Sequence, residues 1–249
     1  ILSYLINKDE EFILSNPKHS VGDVNLYWEL LGRRKNHEPI AYIIGKKEFY
    51  SRYFTVNKNV LIPRSDSEII IDAVLSSKTN IKEPNILDLG SGSGCLGITI
   101  LSEIVNSHAT FVDISSSALI VAKLNANIHQ VVNRSTFINS NWFQDIPKMK
   151  FDLILCNPPY IPFSEKGIMS KESILYEPEI SLFSNNNESY KNILANIKEY
   201  LYPNGKAFFE IGIGSKEAIE DLVYKNGLLV SNVYKDLSSI DRVVELTYS

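Results

Sequence analysis

Asn85-Ile86-Leu87-Asp88-Leu89-Gly90-Ser91-Gly92-Ser93-Gly94-Cys95-Leu96-Gly97 is a short apolar run that breaks into alternating glycines and then resumes. The run has the length of a buried strand, the glycines let the backbone turn tightly, and the residues from Gly94 to about 105 carry a helical pattern. Working outward, residues 110–113, 136–139 and Phe151–Cys156 are further strand-like runs, and a second helical stretch covers about 115–128. Strands that alternate with helices call for a mostly parallel sheet flanked by helices. A helix at about 188–200 should stop at Tyr202-Pro203-Asn204-Gly205, with a strand over 206–211. Another helix at 216–225 ends in Asn226-Gly227, which suits a left-handed cap. Residues 228–234 and 242–247 then form an antiparallel hairpin at the carboxyl-terminal edge of the sheet. No internal repeat is visible.

The part before about residue 80 reads differently. Asp23 is placed to cap a helix through about Asn36, with Leu26, Leu30 and Leu31 on one face, and residues 1–14 hold part of another helix. Residues 41–44, 48–50 and 53–56 are β-type runs, expected as a hairpin or linker strands. Ser65-Asp66-Ser67-Glu68 offers a capping box, Ser65 to Glu68, just after Pro63. The stretch 161–186 shows no regular pattern, and its length marks it as a lid or binding segment. The chain begins at Ile1 rather than Met, with no basic region ahead of the apolar run Leu2–Ile6, so the start reads as a truncated helical region and not as a signal peptide.

With 249 residues, 44% hydrophobic and 22% charged, the chain is long and apolar enough to bury a full core. A formal charge of −4 argues against a protein that coats nucleic acid. Arg33-Arg34-Lys35 and Lys46-Lys47 are isolated basic clusters. Cys95 and Cys156 sit inside buried elements, lack metal-ligand spacing, and read as core thiols of a reducing compartment. No apolar stretch approaches membrane-spanning length. The expected location is cytoplasmic and the expected state a monomer.

Two constellations carry chemistry. Gly92-x-Gly94-x-x-Gly97, with Asp113 at the end of the next strand, matches a dinucleotide fingerprint. It fits S-adenosylmethionine equally: Gly90, Ser91, Gly92, Ser93 and Gly94 form a tight loop against the methionine and ribose. In that reading Asp113 holds the ribose hydroxyls, and Asp88 orders the loop or faces the ammonium group. The second constellation, Asn157-Pro158-Pro159-Tyr160, follows Phe151–Cys156. It puts one carboxamide and a rigid backbone at the carboxyl edge of the sheet, where α/β folds bind ligands. The Asn157 side-chain oxygen and the Pro158 carbonyl are both able to accept from one NH2 group, and the Tyr160 ring covers a flat face. Hydride transfer has no use for such a clamp, whereas methyl transfer to an NH2 does. A plain strand-ending turn would not call for the tyrosine.

Asn157-Pro158-Pro159-Tyr160 together with Asp88-x-Gly90-x-Gly92-x-Gly94 resembles class I S-adenosylmethionine-dependent methyltransferases that act on amide or exocyclic amino nitrogens. Glu38-Pro39-Ile40-Ala41-Tyr42-Ile43-Ile44-Gly45, Glu48-Phe49-Tyr50, Leu61-Ile62-Pro63-Arg64-Ser65-Asp66-Ser67-Glu68, Trp142-Phe143, Tyr176-Glu177-Pro178 and Asp241-Arg242-Val243-Val244 narrow the resemblance to the peptide chain release factor glutamine N5-methyltransferases. The similarity runs from about residue 38 to the end. Ser65 and Ser67 replace the Pro and Thr usual in that family, and Asn141 replaces an acidic residue.

The resemblance implies an α/β fold: a Rossmann-like class I methyltransferase sheet, mostly parallel with an antiparallel carboxyl-terminal hairpin strand, plus a small amino-terminal helical domain. It further implies a substrate-docking domain over 1–40, a β-hairpin linker over 41–64 and a catalytic domain over 65–249. S-adenosylmethionine would be held by Gly90 to Gly94, Asp113, Trp142 beside the adenine, and Asn157. Asn157, Pro158, Pro159 and Tyr160 would hold the glutamine, with Asn157, Pro158 and Tyr160 as the catalytic group. The implied partner is a release factor, with no direct nucleic-acid or membrane contact and no metal. Glu177 is either a substrate-loop carboxylate or a loop surface group. Competing readings are a ribosomal-protein glutamine methyltransferase, an adenine N6-methyltransferase, a non-catalytic cofactor-binding adaptor and a dinucleotide oxidoreductase.

Overall fold

The computed structural model describes residues 1–77 and 81–248. Its strands, in chain order, are β1 (Lys46–Phe49), β2 (Arg52–Thr55), β3 (Asn85–Leu89), β4 (His108–Asp113), β5 (Ser135–Asn139), β6 (Phe151–Cys156), β7 (Leu201–Glu210), β8 (Leu229–Lys235) and β9 (Asp241–Thr247). β1 and β2 form a separate antiparallel pair. The other seven make one sheet in the order β5-β4-β3-β6-β7-β9-β8. The first five of these strands run parallel, and β9 enters antiparallel between β7 and β8, so the hairpin strand β8 is the edge.

Successive side chains of a strand point to opposite faces, and the two apolar layers follow that alternation. Leu153, Leu155 and Phe208 pack with Ile70, Ile71 and Val74 of the helix Glu68–Ser76 and with Ile98 and Leu101 of the helix Cys95–Glu103. Ile154, Cys156 and Phe209 pack on the other face with Tyr190 and Ile193 of Glu188–Leu194, Ile197 of Ile197–Tyr200, and Ile219 and Val223 of Lys216–Lys225. Cys156 is buried in this layer, while Cys95 is half-buried. The amino-terminal segments are the helices Leu2–Ile6, Glu10–Ser15 and Val24–Lys35, the last capped by Asp23, whose carboxylate accepts from Leu26 N–H at 2.9 Å. Among the described residues no helix is long and apolar enough to cross a membrane.

Four local details differ from the sequence expectation, the first two because of distant partners. Ile40–Ile44 is a helical turn and not a strand, because it buries Tyr42 and Ile43 side by side and ends at Gly45 in the left-handed region, φ 75°. Tertiary burial there overrides the β preference of the isoleucines. The capping box does not form: Ser65–Ser67 is a 3-10 turn, and the Glu68 carboxylate instead accepts from Tyr50 N–H at 2.9 Å. The stretch 161–186 contains the short helices Phe163–Ile168, Lys171–Tyr176 and Glu179–Leu182, and Ile161 pairs with Phe183 as a parallel bridge. Residues 202–205 do not end before β7 but lie within it as an irregularity, since Phe151 pairs with Leu201 and Leu153 with Lys206.

Candidate functional site

β3 has β4 on one side and β6 on the other, so the sheet order reverses at β3, and crevices outside such strand ends are where α/β sheets bind ligands. After Leu89 the chain turns through Gly90, Gly92 and Gly94, all at positive φ (76°, 52° and 78°). Side chains with a Cβ rarely adopt that region, which accounts for the glycines. The turn is tied to the next strand: Gly90 and Ser91 N–H donate to Val112 O at 2.8 and 2.9 Å, and Gly92 N–H donates to Asp113 Oδ2 at 2.8 Å. Ser115 N–H donates to the other Asp113 oxygen at 2.8 Å. Burial pushes the Asp113 carboxyl up, and these two donors oppose it. Asp88 is buried one strand over and accepts from Gly97 N–H at 2.9 Å, so it orders the loop. Burial raises its carboxyl to about 7, the Gly97 N–H opposes that, and the Asp113 charge adds to it.

A cleft of about 400 Å³ opens beside this turn, lined by Gly90, Gly92, Asp113, Trp142, Asn157 and Pro159 among others. Trp142 is itself in the left-handed region, φ 51°, and its ring packs over Gly90. Ser91, Ser93 and Gly94 stand outside this lining. Gly94 lies against the helix Ser116–Ile128, where an added Cβ would come within 3.2 Å of Ala122 Cβ and 2.9 Å of Ile98 Cδ1. Ser91 Oγ is buried with no hydrogen-bond partner among the described residues. An unpaired buried hydroxyl is costly, and this one lies behind the cleft lining rather than on it. The glycine turn and the Asp113 carboxylate, which do line the cleft, fit a polar, hydroxyl-bearing cofactor such as S-adenosylmethionine.

A smaller chamber of about 70 Å³ adjoins the cleft, lined by Arg64, Asn157, Pro158, Pro159, Tyr160 and Glu210 among others. Asn157 and Pro159 border both spaces. Sequence reading gave no role to the residues behind this chamber. Ser67 Oγ donates to Glu210 Oε2 at 2.5 Å and accepts from Asn157 Nδ2 at 3.1 Å, and Tyr160 OH donates to Glu210 Oε1 at 3.1 Å. Burial raises the Glu210 carboxyl, opposed by the Ser67 and Tyr160 hydroxyls and by Arg242. Burial and the Glu210 charge push the Tyr160 phenol up, so it stays a donor. Glu177 is not a loop surface group: it is buried, pairs with Arg64 at 2.5 Å and accepts from Ile62 N–H at 3.1 Å. The signal for Glu210 is a carboxylate at the end of an otherwise apolar strand stretch, 207–210.

Residues 66–185 match the family description "Methyltransferase small domain", and residues 1–45 match "PrmC N-terminal domain". A bifunctional methyltransferase of Rickettsia bellii (strain RML369-C) is 43% identical over 277 residues, with 99% of this chain and 50% of that protein covered. The chain spans about half the length of the bifunctional relatives it matches. A release factor glutamine methyltransferase of Buchnera aphidicola subsp. Baizongia pistaciae is 36% identical over 250 residues, with 98% of this chain and 88% of that protein covered. Among solved structures, a methyltransferase from Pyrococcus furiosus superposes with a TM-score of 0.58 at 14% identity, covering 88% of this chain and 97% of the other. At that identity the likeness speaks to the fold alone.

Proposed function

Because the chain belongs to the release factor glutamine methyltransferase family, we propose that it methylates the side-chain amide nitrogen of the glutamine in the Gly-Gly-Gln motif of peptide chain release factors, using S-adenosylmethionine. The observation that carries this is the position of Asn157 at the junction of a cleft large enough for a cofactor and a chamber sized for one side chain. When bound, S-adenosylmethionine supplies an electrophilic methyl group on its sulfonium.

Everything else falls to this chain's own residues. In the large cleft, Asp113 would accept from ribose hydroxyls with the lone pairs that Gly92 and Ser115 leave free, and the glycine turn would admit close approach of the ligand. Trp142 would border the adenine. In the small chamber, Asn157 Oδ1 and the Pro158 carbonyl would accept the two N–H bonds of the glutamine amide, while the Tyr160 ring packs against its side chain. An amide nitrogen is a poor nucleophile because its lone pair is delocalised, so positioning must supply much of the rate. The two acceptors aim the nitrogen and stabilise the positive charge that develops on it. Residues 1–40, whose Leu14 and Trp28 are 81% and 64% exposed, would dock the protein substrate, with 41–64 as the connection to the catalytic part, 65–249.

The test is transfer of a labelled methyl group to intact release factor and to its Gly-Gly-Ala variant. Labelling of the first and not the second is expected. Equal labelling of both, or labelling of ribosomal protein or adenine in place of either, would refute the assignment.

A further inference from the structure

We infer that Glu210, acting through Ser67, fixes which way the Asn157 carboxamide faces, and is therefore the positioning residue of the amide clamp. Glu210 ends β7 and is 2% exposed, and Ser67, in the turn before the helix Glu68–Ser76, is 3% exposed. Each carboxylate oxygen takes one hydroxyl: Ser67 at 2.5 Å and Tyr160 at 3.1 Å. The backbone carbonyl of Glu210 accepts from Tyr190 OH at 2.6 Å, which anchors the strand end. The Ser67 contact is short, with the serine hydroxyl donating and the carboxylate accepting.

The polarity of the chain of bonds follows from donor counting. An ionised carboxylate only accepts, so the single Ser67 hydrogen is committed to Glu210. Toward Asn157 the serine oxygen is then an acceptor alone. Only the NH2 end of the carboxamide is able to face it, as the 3.1 Å contact from Asn157 Nδ2 shows. Oδ1 is consequently turned away from Ser67, where it is free to accept from a substrate. Were the residue at 210 able to donate, Ser67 could point its hydrogen at Asn157 and the carboxamide could rotate end for end. Burial raises the Glu210 carboxyl, and the Ser67 and Tyr160 hydroxyls and the Arg242 guanidinium, itself held by Asp66 at 2.9 Å and Asp236 at 2.9 Å, oppose that rise and support the accepting form. The polarity thus links β7, the 65–67 turn and the end of β6. The effect on turnover rests on the methyl-transfer reading, whereas the orientation itself does not.

The experiment compares the full chain with Glu210→Gln, Ser67→Ala and the double variant. Hydrogen exchange of the Asn157 side-chain NH2, followed by nitrogen NMR, reads the orientation without any substrate. It is expected to quicken about tenfold or more in either single variant and no further in the double one. Methyl transfer should show the same pattern, kcat falling about 100-fold in Glu210→Gln with little added loss in the double variant. Cofactor affinity should stay within about threefold, a split that general unfolding would not give. Unchanged exchange in Glu210→Gln, or losses that multiply in the double variant, would overturn the inference. Faster exchange in a protein that does not methylate release factor would leave the orientation standing and remove the substrate assignment instead. Should Glu210→Gln not fold, Ser67→Ala reads the same link from its other end, and unchanged exchange there would overturn it equally.

Discussion

Asp113 grips Gly92: one carboxylate oxygen at the end of β4 accepts the glycine N–H at 2.8 Å, while the other holds Ser115 N–H at the same distance. One side chain therefore freezes the turn and also faces the cleft it shapes. Asp113→Ala removes both services. Hydrogen bonds to a charged group contribute about 1.5–3 kcal/mol, so calorimetry should find S-adenosylmethionine bound roughly 10- to 100-fold more weakly. Unchanged affinity would take Asp113 out of the cofactor site.

Gly97 is needed for space. A Cβ there would lie 2.6 Å from Phe111 Cε1 and 2.9 Å from Asp88 Oδ2, in a fully packed layer. Gly97→Ala is expected to cost about 1–3 kcal/mol of stability by overpacking. Denaturant unfolding checks it, and a midpoint equal to or above that of the parent would contradict the contact.

The Asp88 carboxyl titrates at about 7 because it is buried, whereas in the unfolded chain an aspartate titrates near ~3.9. Between those values the folded state holds more protons than the unfolded one. Stability contributed through Asp88 is thus present at low pH, declines as pH rises through the window from about 4 to 7, and is flat above it. Asp88→Asn keeps an acceptor for Gly97 N–H but removes the charge. Its stability relative to the parent should improve across that window, by an amount on the order of a few kcal/mol at pH 8. Parallel pH profiles for the two proteins would show that Asp88 is not the titrating group.

Glu177 ties the 161–186 stretch to the segment before the helix Glu68–Ser76, by way of Arg64 and Ile62 N–H. Arg64 is 42% exposed and is able to find water once its partner is gone, so the main cost of Glu177→Ala is the stranded Ile62 N–H and the lost packing. A loss of about 1–3 kcal/mol is expected, with faster proteolysis of residues 161–186. A protein as stable and as protease-resistant as the parent would deny the tether.

The parallel sheet was legible because its strands are short apolar runs punctuated by glycine, proline and helical periodicity. β3 and β6 fall where the residues place them, and Asn226-Gly227 ends its helix with Gly227 at φ 66°. What stayed hidden is what depends on partners far away in sequence. Glu68 leaves its local capping geometry for Tyr50, and Ile40–Ile44 folds as a helix because Tyr42 and Ile43 have somewhere to be buried. The same holds at the site. Asn157-Pro158-Pro159-Tyr160 announces itself as a run of four, but Ser67 and Glu210 stand 143 residues apart and meet only once β7 is laid beside β6.

The most direct test of the amide clamp is Asn157→Ala, assayed for single-turnover methyl transfer to release factor alongside cofactor affinity by calorimetry. With Oδ1 gone, the rate should fall at least about 100-fold while affinity for S-adenosylmethionine changes by no more than about threefold. Turnover close to that of the parent would contradict the clamp.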